Sequence, residues 1–122
     1  MEQKSEYSKF IDLIEKEEFV SLFSSCENPE KWFSDNELQE FPFPERARSL
    51  AGRYLIKKTI CNQINGISNL HEIEILNDSF GKPEISLGTI IQTDVRQKGI
   101  RKILCSISHS RNFIISLTIF CF

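Results

Sequence analysis

The chain has 122 residues with 40% hydrophobic and 26% charged side chains, a balance that excludes the disordered and fibrous classes and leaves length for one core, so a single domain over residues 1–122 is expected. The net charge of −2 excludes the broad basic surface of a nucleic-acid binder.

The longest apolar stretches, Ile114–Leu117 and Ile119–Phe122, fall far short of the roughly 20 residues of a membrane helix, so no membrane span is expected. The polar, acidic start Met1-Glu2-Gln3-Lys4-Ser5-Glu6 lacks the basic-then-apolar order of a secretory signal, and a cytoplasmic location is expected. Cys26, Cys61, Cys105 and Cys121 form no C-x-x-C pair and read as reduced core residues, not zinc ligands. Charge is uneven. The first 40 residues carry eleven acids against four bases, whereas Phe41–His71 is locally +4 through Arg46, Arg48, Arg53, Lys57 and Lys58, and the segment from Asp94 onward is again +4. Two basic segments in an acidic chain point to a local anion site, and a phosphate-bearing ligand fits it.

In chain order, Tyr7, Phe10, Ile11, Ile14 and Leu22 recur at helical spacings, so residues 5–23 are expected to be a helix. Ser34-Asp35-Asn36-Glu37 has the capping-box pattern and starts a short helix. A central helix is expected from about Pro44 to Asn65, with Gly66 as its stop. Its apolar stripe is Ala47, Leu50, Ala51, Tyr54 and Cys61, with Lys58 inside the stripe and Arg53 and Lys57 stacked beside it. After Gly66 the period becomes alternating. His71, Ile73 and Ile75 make a strand, Asn77–Pro83 a turn and Glu84–Leu87 a return strand. Gly88–Arg101 reads as an irregular loop or short helix. Ile103, Cys105, Ile107 and His109 then share one strand face, and Phe113, Ile115, Leu117, Ile119 and Cys121 share one face of the last strand. The expected fold class is α+β, a long central helix packed on an antiparallel sheet.

Three stretches resemble the small acyl-carrier-protein-synthase type of phosphopantetheinyl transferase. Leu50-Ala51-Gly52-Arg53-Tyr54-Leu55-Ile56-Lys57-Lys58-Thr59 is similar to that family's helix ending in K-E-A; Ile73–Leu87, with Asn77-Asp78-Ser79-Phe80-Gly81-Lys82-Pro83, to its strand, N-D-x-x-G-K-P turn and return strand; and Cys105-Ser106-Ile107-Ser108-His109-Ser110 to its S-x-S-H-[ST] segment. Phe33–Leu38 resembles the segment before the helix. The resemblance implies a phosphopantetheinyl-transferase-like domain that moves the phosphopantetheine arm of coenzyme A onto a serine of an acyl carrier protein, and in small members a homo-oligomer, a trimer with sites between subunits. It implies that Arg53, Lys57, Lys82, Ser108 and His109 face the coenzyme A phosphates or adenylate, that Gly81 and Pro83 shape the adenine side, and that Lys57 and Lys58 occupy the catalytic positions.

The chain departs from the family where magnesium is held. Lys58 stands in place of the K-E-A glutamate, and Asn62 in place of a lysine. The family's other metal ligand is the aspartate of a G-x-D motif ending an apolar strand. Its nearest counterpart is Asp12 in Phe10-Ile11-Asp12, with phenylalanine for the glycine, and a helix over residues 5–23 would instead make Asp12 a solvated surface residue. Glu18 lies where the family often has an arginine that meets the acidic carrier. Two readings follow: a divergent transferase whose activity is impaired or altered, or a non-catalytic coenzyme A, adenylate or partner-binding domain on the same fold.

Overall fold

The computed structural model describes residues 6–64 and 70–122. Its elements are β1 (Tyr7–Glu15), α1 (Lys16–Ser24), α2 (Asp35–Glu40), α3 (Ala47–Gln63), β2 (Ile73–Asn77), β3 (Pro83–Leu87), α4 (Thr89–Gln97), β4 (Lys102–His109) and β5 (Phe113–Cys121). Strands β1, β5 and β4 form an antiparallel sheet with β5 in the centre, and β2 and β3 form a separate antiparallel ribbon.

The first element corrects the sequence expectation. Residues 7–15 are not helical but pair with β5, with Asp12 opposite Ser116 and Ile14 opposite Ile114. Phe10 and Ile14 lie four apart, a spacing that serves a helix face and a strand face alike, and pairing with β5 decides between them. The helix begins only at Lys16, where Glu17 and Glu18 in its first turn suit the positive end of its dipole.

The predicted residues of β5 do share a face, but it is the outer one. Phe113 and Ile115 are each 41% exposed, while Ile114, Ser116, Thr118 and Phe120 point inward and are buried. Both sets alternate with period two, and only the placement of α3 over one of them tells them apart. Helix α3 lies on that inner face. It comes so close to β4 at Gly52 that a Cβ there would collide with Ile107.

Helix α3 has no single buried stripe, because α1 and side chains from α2, β2 and α4 pack on it as well as the sheet. Leu50, Ala51 and Leu55 pack with Phe19, Phe23, Phe33, Phe41 and Ile114, and Ile56, Ile60 and Ile64 pack with Ile73, Ile75, Ile91, Val95 and Phe120. Arg53 and Lys57 are therefore buried and Lys58 is exposed, the reverse of the expected arrangement. The helix spans Ala47–Gln63, inside the expected bounds; Gly66 lies outside the described residues. The segment after Gly88 is a helix, α4, that seats Ile91 and Val95, one turn apart, in the core.

Candidate functional site

Glu37 organises the centre of the domain. The capping box forms as the sequence indicated: Glu37 N donates to Ser34 Oγ at 3.2 Å and Ser34 N to Glu37 Oε1 at 2.9 Å. The same carboxylate accepts Ile75 N on Oε2 at 2.9 Å and the Lys57 ammonium on Oε1, and both charged side chains are sealed from solvent. Lys57 Nζ also donates to the Trp32 carbonyl at 2.9 Å and lies 4.7 Å from the Phe33 ring centre. Burial lowers the Lys57 pKa to about 8 even though Glu37 pulls it upward. Lys57 thus turns inward, and its ammonium is committed to Glu37 and Trp32, not open to a phosphate.

Arg53 is buried beside it. Its Nε donates to the Ile75 carbonyl at 2.7 Å, Nη1 to the Ser49 carbonyl at 3.1 Å and Nη2 to Asn77 Oδ1 at 2.9 Å, and the guanidinium lies 3.8 Å from the Phe41 ring centre. Burial lowers its pKa to about 10, where it keeps its charge at neutral pH. These bonds tie α3 to β2 and leave one edge of the guanidinium toward a cavity of about 190 Å³ lined by Arg46, Ser49, Arg53, Asn77, Gly81, Pro83, Ile107 and His109. Four of the residues singled out in the sequence, Arg53, Gly81, Pro83 and His109, meet there.

The turn below this cavity is built by Asp78. Its Oδ1 accepts Phe80 N at 2.8 Å and Lys82 N at 2.9 Å, and Gly81 takes the left-handed conformation at φ 81° that suits a residue without Cβ. Lys82 lines a different groove of about 680 Å³ between β3 and β4, with Glu84, Lys102 and Ser106 among its walls. Ser108 does not join His109: strand alternation sends it to the other face of β4.

A third cavity, of about 270 Å³, adjoins the first through Arg46, Ser49 and His109 and adds Lys16 and Arg48. Arg48 grips the β4–β5 turn by donating Nε and Nη2 to the Arg111 carbonyl at 3.2 and 3.1 Å. Lys16, Arg46, Arg48 and Asn77 were not singled out as ligands. The +4 charge between Phe41 and His71 was the signal for Arg46 and Arg48; nothing local marked Lys16, which arrives from another element.

Because β1 is a strand, Asp12 is carried to α3, where Thr59 Oγ1 donates to Asp12 Oδ2 at 2.6 Å. Thr59 Oγ1 also lies 3.0 Å from the Leu55 carbonyl, but it has one proton, and the shorter bond to a charged acceptor is the stronger. Lys58, the neighbouring residue, is exposed, with Nζ 5.5 Å from the Tyr54 ring centre and, among the described residues, no carboxylate within ion-pair distance. The magnesium implied by the family resemblance does not fit this donor set. The one carboxylate there is already engaged by Thr59, a lysine stands where the family has its glutamate, and among the described residues no three His, Cys, Asp or Glu side chains are grouped to hold a metal.

No family model matches the chain. It is 30% identical over 114 residues to the holo-acyl-carrier-protein synthase of Thermoanaerobacter sp. (strain X514), which covers 88% of this chain and 82% of that protein. It is 32% identical over 78 residues to the holo-acyl-carrier-protein synthase of Caldanaerobacter subterraneus subsp. tengcongensis, where the match spans 64% of this chain and only 61% of the relative's length. The same architecture occurs in the ACPS–CoA complex of Chronobacterium ammoniagenes, with a TM-score of 0.78 at 24% identity over 95% of this chain and 97% of that one. A fold shared over 95% of this chain, with Gly81, Pro83 and His109 on one cationic cavity, agrees with the relatives found by sequence: the chain belongs to the holo-acyl-carrier-protein synthase family.

Proposed function

We propose that this chain transfers the phosphopantetheine arm of coenzyme A to a serine hydroxyl of an acyl carrier protein. The observation that carries the reading is the cavity where Arg46, Arg53 and His109 lie beside Gly81 and Pro83: a guanidinium fixed by its bonds to Ser49, Ile75 and Asn77, with two exposed basic side chains around a space sized for part of a phosphorylated ligand. In the reaction the serine oxygen bonds to the phosphorus bearing the pantetheine arm, the bond from that phosphorus to the adenosine diphosphate breaks, 3′,5′-ADP leaves with the electron pair, and the serine proton passes to solvent water. Arg46, Arg53 and His109 would hold the adenosine phosphates, with Gly81 and Pro83 against the adenine. Lys58 would supply positive charge beside the reacting phosphate. Lys82, on the neighbouring groove, would reach the nucleotide from the other side of the turn.

The substitution of the family glutamate by Lys58 specifically favours a second reading, in which the same pocket binds coenzyme A or adenylate without transfer and the domain serves as a partner or regulatory subunit. The outer sheet face supports self-association in either case. Tyr7, Ile11, Leu13, Phe113 and Ile115 form an apolar surface on β1 and β5 suited to further copies of the chain, the trimer being the form implied by the family. The described cysteines are free and no described helix is long and apolar enough to cross a membrane, which suits the cytoplasmic setting expected from the sequence.

Incubation with coenzyme A and a panel of apo carrier proteins, read by intact mass, tests the reading. Addition of one phosphopantetheine to any carrier supports transfer. Coenzyme A binding without transfer to any carrier supports the second reading, and absence of binding defeats both.

A further inference from the structure

We propose that Asp12 and Thr59 form a metal-free pair, in which the Thr59 hydroxyl takes over from a divalent cation the task of fixing the Asp12 carboxylate, and that Lys58, the residue before Thr59 on α3, supplies the positive charge that meets an anion. Three observations converge. Asp12, an exposed residue, lies at the register position opposite Ser116, on the sheet face that α3 packs against, within reach of a donor on that helix. Thr59 provides that group at 2.6 Å from a buried position on α3, where the family's K-E-A motif has an alanine with nothing to donate. Lys58 follows from the same turn and keeps an ammonium clear of any described carboxylate, so its charge remains available to an incoming anion.

The two substitutions complement each other. A cation at position 58 repels a divalent metal, and a carboxylate deprived of its metal needs another donor if it is to hold one orientation. Thr59 is accordingly a positioning residue for Asp12. That the anion is a phosphate of coenzyme A rests on the reading above; the metal-free character of the site does not.

The test uses Mn2+ as the metal probe, counted by its electron paramagnetic resonance signal, on the native chain, on Lys58→Glu and on the pair Lys58→Glu with Thr59→Ala. The native chain is expected to leave Mn2+ free, and the pair, which restores the K-E-A motif, to bind it at least about tenfold more tightly. Lys58 is exposed, so Lys58→Glu alone keeps the fold and guards against failure of the pair, with an intermediate affinity expected. In parallel, coenzyme A should raise the melting temperature of the native chain equally in EDTA and in magnesium. Native binding of Mn2+ as tight as that of the pair, a gain from coenzyme A that requires magnesium, or no gain in Mn2+ affinity in either variant overturns the proposal. If coenzyme A raises the melting temperature under no condition while the Mn2+ results stand, the coenzyme A reading falls and the metal-free site remains.

Discussion

Lys57 and Glu37 meet in the interior from two different helices, and neither side chain reaches solvent. Glu37 also receives the backbone of β2 through Ile75 N, so one carboxylate joins α2, α3 and the β2–β3 ribbon. Two charges so buried are costly to separate, since removing either leaves the other without a partner in a medium that solvates it poorly. Lys57→Met is expected to lower the unfolding free energy by about 3–5 kcal/mol, read from the urea midpoint at constant slope. A loss below about 1 kcal/mol would mean that Lys57 finds water or another partner.

The same burial predicts a pH dependence of unusual sign. Lys57 falls from an ordinary value of 10.5 to about 8 in the folded chain, so between those values the unfolded chain holds the proton that the folded chain has released. Stability rises with pH wherever the unfolded state binds more protons, so it should climb from about pH 8 toward pH 10.5. Cys105, raised by burial from 9.0 to about 11, acts in the opposite direction, as does Cys61, and both are removed by measuring in a Cys61→Ala, Cys105→Ala background. Urea midpoints that fall steadily across this interval would show that Lys57 keeps its proton in the fold.

Gly52 permits the approach of α3 to β4. Its φ is ordinary, so space and not conformation excludes a side chain, and the atoms in the way belong to Ile107. Gly52→Ala gains helix propensity of roughly 1 kcal/mol but overpacks the contact at a cost of roughly 1–3 kcal/mol, so a net loss is expected. Ile107→Ala, which removes all three colliding atoms, should cost less in the Gly52→Ala chain than in the native one, a coupling read from a double-mutant cycle of thermal unfolding. Additive effects would show that the collision is relieved elsewhere.

The order of helix, ribbon and sheet was legible because the hydrophobic period changes visibly after the central helix and because Ser34 and Glu37 carry a local capping pattern. What depends on distant partners was not. Residues 7–15 have spacings that fit a helix, and only β5, a hundred residues away in sequence, makes them a strand. The inner and outer faces of β5 are both rich in apolar residues, and the buried one carries Ser116 and Thr118, whose hydroxyls have no partner among the described residues, so hydrophobicity alone favours the wrong face. At the site, Arg53, Gly81, Pro83 and His109 line one cavity, whereas Lys57, Lys82 and Ser108, which the same motifs placed with them, do not. Lys57 and Lys58 exchanged places because a helix covered on two sides has no single stripe to reason from.

The turn that ends β4 is held from two directions. Arg48 on α3 takes the Arg111 carbonyl, and Lys16 N, at the first residue of α1, takes the Asn112 carbonyl at 2.8 Å. His109 stands at the base of this turn and walls both cationic cavities. Helix α1 and the two cavities are therefore linked by a single short lever: a protein that docks on α1 and tilts its first turn must either break the Lys16–Asn112 bond or carry the turn with it. The acidic first turn of α1, with Glu17 and Glu18, and the wall of both cavities therefore hang on the same piece of backbone.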